Sequence, residues 1–122
     1  MTKKVLIADD EANIVISIEF LMKREGFHVL VARDGEEALA KVRSERPDLV
    51  LLDVMMPKKN GYEVCQAIKG DPEVAATRIL MLTAKGRDTD VSHGLGVGAD
   101  AYMTKPFATR DLVAKARELL GI

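Results

Sequence analysis

Five residues of this chain, Asp9, Asp10, Asp53, Thr83 and Lys105, are spaced as if to act together. Each stands at the far end of a short apolar run: VLIA (5–8), DLVLLDV (48–54), RILMLT (78–83) and DAYMT (100–104). A carboxylate at the end of a core strand costs desolvation energy unless something there uses it. Three clustered carboxylates repel, so at neutral pH they need a cation or must share protons. Hard oxygen donors that leave room for water and phosphate oxygens suit Mg²⁺. Three carboxylates, one lysine and one Mg²⁺ balance in charge, with coordination positions still open. An arriving phosphoryl group would meet a metal, an ammonium and a hydroxyl, and a carboxylate can take it as an acyl phosphate. That chemistry points to Asp53.

Each residue taken singly has a plainer reading. Asp10 can cap a helix, Asp53 can open a turn toward Pro57, Thr83 can simply finish a strand, and Lys105 can be a solvated surface lysine. Asn60-Gly61 is a turn signal on its own account. The four strand ends together, all carrying polar groups on one edge, are what favours the chemical reading.

The elements that would gather them follow from the pattern. A fifth apolar run, HVLVA (28–32), completes a set rich in Val, Ile and Leu without alternation, as suits strands covered on both faces. Between the runs lie helical periods. Ile14, Ile18, Leu21 and Met22 share a face in the first, which Gly26 ends. The second opens with Asp34-Gly35-Glu36-Glu37, an aspartate version of the capping box, and carries Ala38, Leu39 and Val42. The third follows Gly61 with Val64, Ala67 and Ile68; the last follows Thr109, an expected N-cap, with Leu112, Val113, Ala116, Leu119 and Leu120. The fourth, residues 87 to 98, is poor: Val91, Leu95 and Val97 anchor it, and Gly94 and Gly96 each cost roughly 1 kcal/mol relative to Ala. Five strand–helix repeats argue a parallel sheet with helices on both faces, whose chemistry gathers outside the carboxyl ends of the strands.

The 122 residues suffice for one domain with a real core. A net charge of −1 gives no electrostatic reason for nucleic acid or an anionic membrane as partner. The single cysteine, Cys65, cannot form an internal disulfide, and no signal peptide or spanning segment is seen, so the cytoplasm is the expected compartment. His28 and His93 lack ligand spacing, Cys65 reads as a small packed hydrophobe, Met56 as a loop anchor, and Pro57-Lys58-Lys59 as a solvated turn.

ADDE near the start, then LLDVMMPKKNGYE, LTA and GADAYMTKPF, in this order and spacing, closely resemble the receiver domain of bacterial response regulators, along the whole chain. The resemblance implies a flavodoxin-like doubly wound (βα)5 fold with strand order 2-1-3-4-5. It makes Asp53 the phosphoacceptor. Asp10, Asp53 and the backbone carbonyl of Met55 would bind Mg²⁺ directly, and Asp9 would act through water. Thr83 and Lys105 would hold phosphoryl oxygens, and Tyr102 would change rotamer with Thr83. A cis Lys105-Pro106 bond is expected. At the positions that tune dephosphorylation in the family, Met55 offers no group to orient a water and a charged Lys85 cannot act as a base, which implies slower hydrolysis than with Asn at 55 and Glu at 85.

The implied partners are a histidine kinase or phosphotransfer protein, and an effector reading the face of the fourth helix, fifth strand and last helix. The same face allows a phosphorylation-dependent dimer. Residues 1–122 are expected to form a single receiver domain without enzymatic activity beyond its own phosphorylation and dephosphorylation. The start, MTKK, fits a native N-terminus; a receiver excised from a larger regulator or hybrid kinase is the other form of the same reading. A magnesium phosphohydrolase of the haloacid dehalogenase type is distant, because Met55 stands where that family has its second acid. A flavodoxin is also distant, since Asp9-Asp10-Glu11 would repel a flavin phosphate.

Overall fold

Successive side chains of a strand face opposite sides of the sheet, and that alternation divides this protein into two cores. The structure, a computed structural model, describes residues 2–84 and 98–122. Its strands are β1 (Lys4–Ala8), β2 (His28–Ala32), β3 (Leu49–Asp53), β4 (Arg78–Ala84) and β5 (Ala101–Lys105). All pair in parallel, in the order β2-β1-β3-β4-β5, which is the order expected. The helices among the described residues are α1 (Ala12–Arg24), α2 (Gly35–Glu45), α3 (Gly61–Lys69) and α4 (Thr109–Leu120). The helical segment expected over 87 to 98 lies outside the described residues, as do Lys85 and His93; only its last residue, Gly98, is described, with φ +95°.

On one side of the sheet Leu6, Val50, Leu52, Ile79 and Met81 pack against α2 and α3. On the other, Val5, Ile7, Leu49, Leu51, Leu80 and Leu82 pack against α1 and α4. Both faces of β3 are therefore buried along its whole length, which is why its sequence shows an unbroken apolar run.

The helix ends show where local reading succeeds and where it slips. Asp34 caps α2 by accepting the Glu37 N–H at 2.8 Å, but the Glu37 carboxylate reaches the Arg33 N–H (2.6 Å), one residue before the cap. Asn60 does more than turn the chain. It accepts the Glu63 N–H at 2.9 Å while Glu63 accepts the Asn60 N–H at 3.1 Å, a complete capping box at the head of α3. Thr109 is not the cap of α4. The Ala108 carbonyl already accepts the Leu112 N–H (3.1 Å), so Ala108 is the N-cap, without a side-chain bond, and Thr109 is the first helical residue.

The sheet is fastened at the end opposite the candidate chemistry. Asp100 accepts the Ile79 N–H (2.8 Å) and pairs with Lys69 (3.0 Å), whose ammonium also donates to the Thr77 carbonyl (2.6 Å). The end of α3 is thus tied to the starts of β4 and β5.

Candidate functional site

Register brings the five residues to one edge. Asp53 pairs with Leu82, Thr83 lies opposite Thr104, and Ala84 opposite Lys105, so the polar groups step outward along neighbouring strands. Asp9 extends β1 by one residue, its N–H donating to the Ala32 carbonyl at 3.1 Å.

Asp9 is fully buried, Asp53 is 5% exposed, and Asp10 is exposed. One carboxylate oxygen from each of the three lies within 4.8 Å of the others. Lys105 reaches among them: its Nζ donates to Asp9 Oδ2 at 3.1 Å and lies 3.4 Å from Asp53 Oδ1. The other Asp9 oxygen accepts the Glu11 N–H at 2.9 Å, so both of its oxygens have protein donors. Asp10 does not cap α1, whose N-cap is Glu11 with no side-chain bond. The exposed Asp10 carboxylate therefore faces water beside two buried ones. Such a cluster of hard oxygens suits a divalent cation that keeps waters of its own.

Electrostatics say the same. Burial, reinforced by the neighbouring Asp9 carboxylate, pushes the Asp53 carboxyl up from 3.8 to about 6, against the pull of Lys105 and the Met55 backbone. Burial alone would lower the Lys105 pKa, but Asp53 and Asp9 outweigh it and raise it above the ordinary lysine value. Among the described residues one ammonium faces these carboxylates, and a cation would offset the negative charge that remains.

Thr83 contributes differently. It is 1% exposed, and its hydroxyl has no hydrogen-bond partner among the described residues. Leaving a buried hydroxyl unsatisfied costs about 1–3 kcal/mol, a cost that an incoming oxygen would remove. Strand alternation also separates it from the acids. Asp9, Asp53 and Lys105 fall on the α1–α4 side with Ile7, Leu51 and Met103, whereas Thr83 falls on the α2–α3 side with Met81. Tyr102, which lies opposite Met81 and packs partly against that same core, is Thr83's diagonal neighbour.

The chain leaving Asp53 is held by a close approach. A Cβ at Gly61 would lie 2.5 Å from the Asp53 carbonyl oxygen and 2.9 Å from Val54 Cα, and the Gly61 N–H donates to the Val54 carbonyl at 2.8 Å. Only glycine lets α3 start there. Met56 is buried and anchors the loop, while the Met55 side chain is exposed. The Lys105-Pro106 bond is cis, as expected. Of the Pro57-Lys58-Lys59 turn, Lys58 is exposed but Lys59 is half-buried.

The sequence alone does not single out Glu11 as a partner; its Oε1 lies 3.8 Å from Lys105 Nζ. Its place directly after Asp9-Asp10 at the end of β1 is the available signal. Cys65 is fully buried, and burial raises its thiol to about 11, which leaves it an unreactive packing residue at neutral pH.

The acidic cluster leads to a prediction for the metal-free protein. Folding holds the Asp53 carboxyl near 6, above its ordinary 3.8, so its ionised form is disfavoured by the native state. The folded chain then binds the extra proton between those values, and the penalty shrinks as pH falls through them. Asp53→Asn carries no such penalty. Without metal it should melt higher than wild type at pH 7, and the gap should close toward pH 4. A gap that stays constant or widens on acidification contradicts this account of the site.

A five-stranded doubly wound sheet with this acidic edge is a receiver architecture, and residues 5–117 match the response regulator receiver domain; the chain belongs to that family. It is the receiver domain of a two-component response regulator, a class that takes its signal from histidine kinases and passes it to effectors. The alkaline phosphatase synthesis transcriptional regulatory protein PhoP of Bacillus subtilis (strain 168) is 47% identical over 120 residues, covering 98% of this chain. The chain spans about half (49%) of that relative's length. Among solved structures, the chemotaxis response regulator CheY4 of Vibrio cholerae superposes with a TM-score of 0.91 at 33% identity, over 98% of this chain and 99% of that one. A CheY-like receiver domain protein from Methanospirillum hungatei JF-1 gives 0.92 at 31%, over 99% and 95%. Among the described residues no helix is long and apolar enough to cross a membrane.

Proposed function

We propose that Asp53 accepts a phosphoryl group from a phosphohistidine of a histidine kinase or phosphotransfer protein, in a single receiver domain formed by residues 1–122. The observation that carries this reading is the pairing of one lysine with two buried aspartates, Asp9 and Asp53, next to the exposed Asp10. In the transfer, an Asp53 carboxylate oxygen bonds to phosphorus as the phosphorus–nitrogen bond breaks and the imidazole departs with that electron pair. Lys105, now beside Asp53, takes one phosphoryl oxygen, and the Thr83 hydroxyl donates to another. Asp10, Asp53 and the Met55 carbonyl would hold Mg²⁺, with Asp9 acting through water. The ion supplies charge neutralisation for the phosphoryl oxygens.

The chain's own catalysis is limited to gaining and losing this group. Tyr102 follows Thr83 on the α2–α3 side of the sheet, and an effector reads the surface that includes β5 and α4, which also offers a phosphorylation-dependent dimer contact. Neither nucleic acid nor membrane is a partner of this domain, and its compartment is the cytoplasm. With Mg²⁺ and acetyl phosphate the protein should gain one acid-stable, base-labile phosphoryl group that maps to the peptide containing Asp53. EDTA should prevent it. Labelling that survives EDTA, or that maps elsewhere, rejects the proposal.

A further inference from the structure

The loop from Met55 to Asn60 carries the carbonyl assigned to the metal, and it is clamped by the start of α2, on the side of the sheet away from the acids. Its base is closed by the Gly61 N–H to the Val54 carbonyl (2.8 Å). Its tip rests on the start of α2. The Gly35 N–H, one of the amides a helix's first turn leaves without a partner, donates to the Pro57 carbonyl at 3.2 Å. A Cβ at Gly35 would lie 2.0 Å from the Lys59 carbonyl oxygen, 2.5 Å from Lys59 Cβ and 2.7 Å from Lys59 C. The backbones therefore touch where no other residue type fits. Gly35 has no left-handed φ, so its conformation alone would accept alanine, and alanine is the better helix former. The space, not the dihedral angle, demands glycine.

The tip is tightly wound where it touches α2. Lys58 has φ +70°, and the Lys59 N–H returns to the Pro57 carbonyl at 2.9 Å, a three-residue turn of the rarer hand. The Pro57 carbonyl thus serves two amides, one from its own turn and one from α2. Lys58 Nζ lies 3.7 Å from Asp34 Oδ2, while the other Asp34 oxygen caps α2. With the base closed by Gly61 and Asn60 held in the cap of α3, a push at Lys59 is passed back along Pro57 and Met56 to Met55.

The geometry points to Gly35 as a positioning residue for the metal: the head of α2 sets where the Met55 carbonyl stands, through Pro57 and Lys59. This rests on the metal reading above, with Met55 as a ligand. Because linkage is reciprocal, Mg²⁺ held at Met55 must in turn steady the Gly35 contact.

Two measurements test it, both using MgCl₂ as the probe. Calorimetric titration of Gly35→Ala, with its fold verified by circular dichroism, should give a Mg²⁺ dissociation constant at least fivefold above wild type. Adding Lys59→Gly, which frees the backbone carrying the offending carbonyl, should recover most of that loss. In the wild-type protein, Mg²⁺ should slow amide exchange at Gly35 more than at Glu37, which is capped by Asp34 and does not touch the loop. The second measurement stands even where Gly35→Ala fails to fold. Unchanged Mg²⁺ affinity in a folded Gly35→Ala, or equal slowing at Gly35 and Glu37, overturns the positioning role and leaves the metal site intact. A wild-type protein that binds no Mg²⁺ overturns both.

Discussion

Asp53→Asn should take up no phosphoryl group from acetyl phosphate in Mg²⁺, where wild type takes up one. The expected effect is complete because the amide nitrogen's lone pair is delocalised, and the remaining oxygen is a carbonyl rather than a charged nucleophile. Neighbouring acids are poor substitutes. Asp9 is fully buried, with one oxygen accepting from Glu11 and the other from Lys105, so attack would require breaking those bonds. Asp10 is accessible but exposed to water, without the direct Lys105 contact that Asp53 has. Intact mass before and after base treatment reads the result. A fully labelled Asn variant would sink the assignment of Asp53.

Asp10→Ala and Lys105→Ala should fail in opposite ways. Removing Asp10 deletes the accessible carboxylate of the cluster, and even outer ligands typically cost 10–100-fold in metal affinity, so roughly tenfold or more is expected. At a Mg²⁺ concentration of about 100 times the wild-type dissociation constant, wild type should gain about 2.7 kcal/mol of stability. A tenfold weaker Asp10→Ala should gain only about 1.4 kcal/mol. Lys105→Ala removes the one ammonium among the described residues that touches Asp9 and Asp53. The cluster becomes more negative, so Mg²⁺ affinity should hold or rise. Phosphoryl uptake should nevertheless fall by roughly ten- to a hundredfold, the worth of a charged hydrogen bond of about 1.5–3 kcal/mol. Equal Mg²⁺ affinity in wild type and Asp10→Ala would contradict the site.

The sheet and its chemical edge are legible in the sequence because both rest on short-range signals. Unbroken apolar runs mark strands buried on two faces, and a polar residue closing such a run is conspicuous. What stays hidden depends on distant parts of the chain meeting. Gly35 reads as an ordinary first residue of a helix; only the Lys59 backbone, 24 positions away, shows why it is glycine. Asp100 reads as the first residue of the run DAYMT, and its bonds to Lys69 and Ile79 follow from the order of strands rather than from any local pattern. Asn60 reads as a turn because a cap and a turn use the same residue types, and the box becomes visible only with Glu63 folded back. Thr109 illustrates the converse: a good capping residue is not a cap when the preceding carbonyl already starts the helix.

The division of the strand ends between the two sides of the sheet has a consequence for how such a molecule can diversify. Acids and lysine lie toward α1 and α4, while Thr83 and Tyr102 lie toward α2 and α3, so the charged groups and the Thr83–Tyr102 pair sit on opposite sides of the sheet. Under the proposed function, substitutions around Tyr102 would then alter who listens while the acids that write the message stay as they are. Descendants of one gene can keep a common input chemistry while drifting apart in output. Thr83, at the boundary, is the residue least free to change in either lineage.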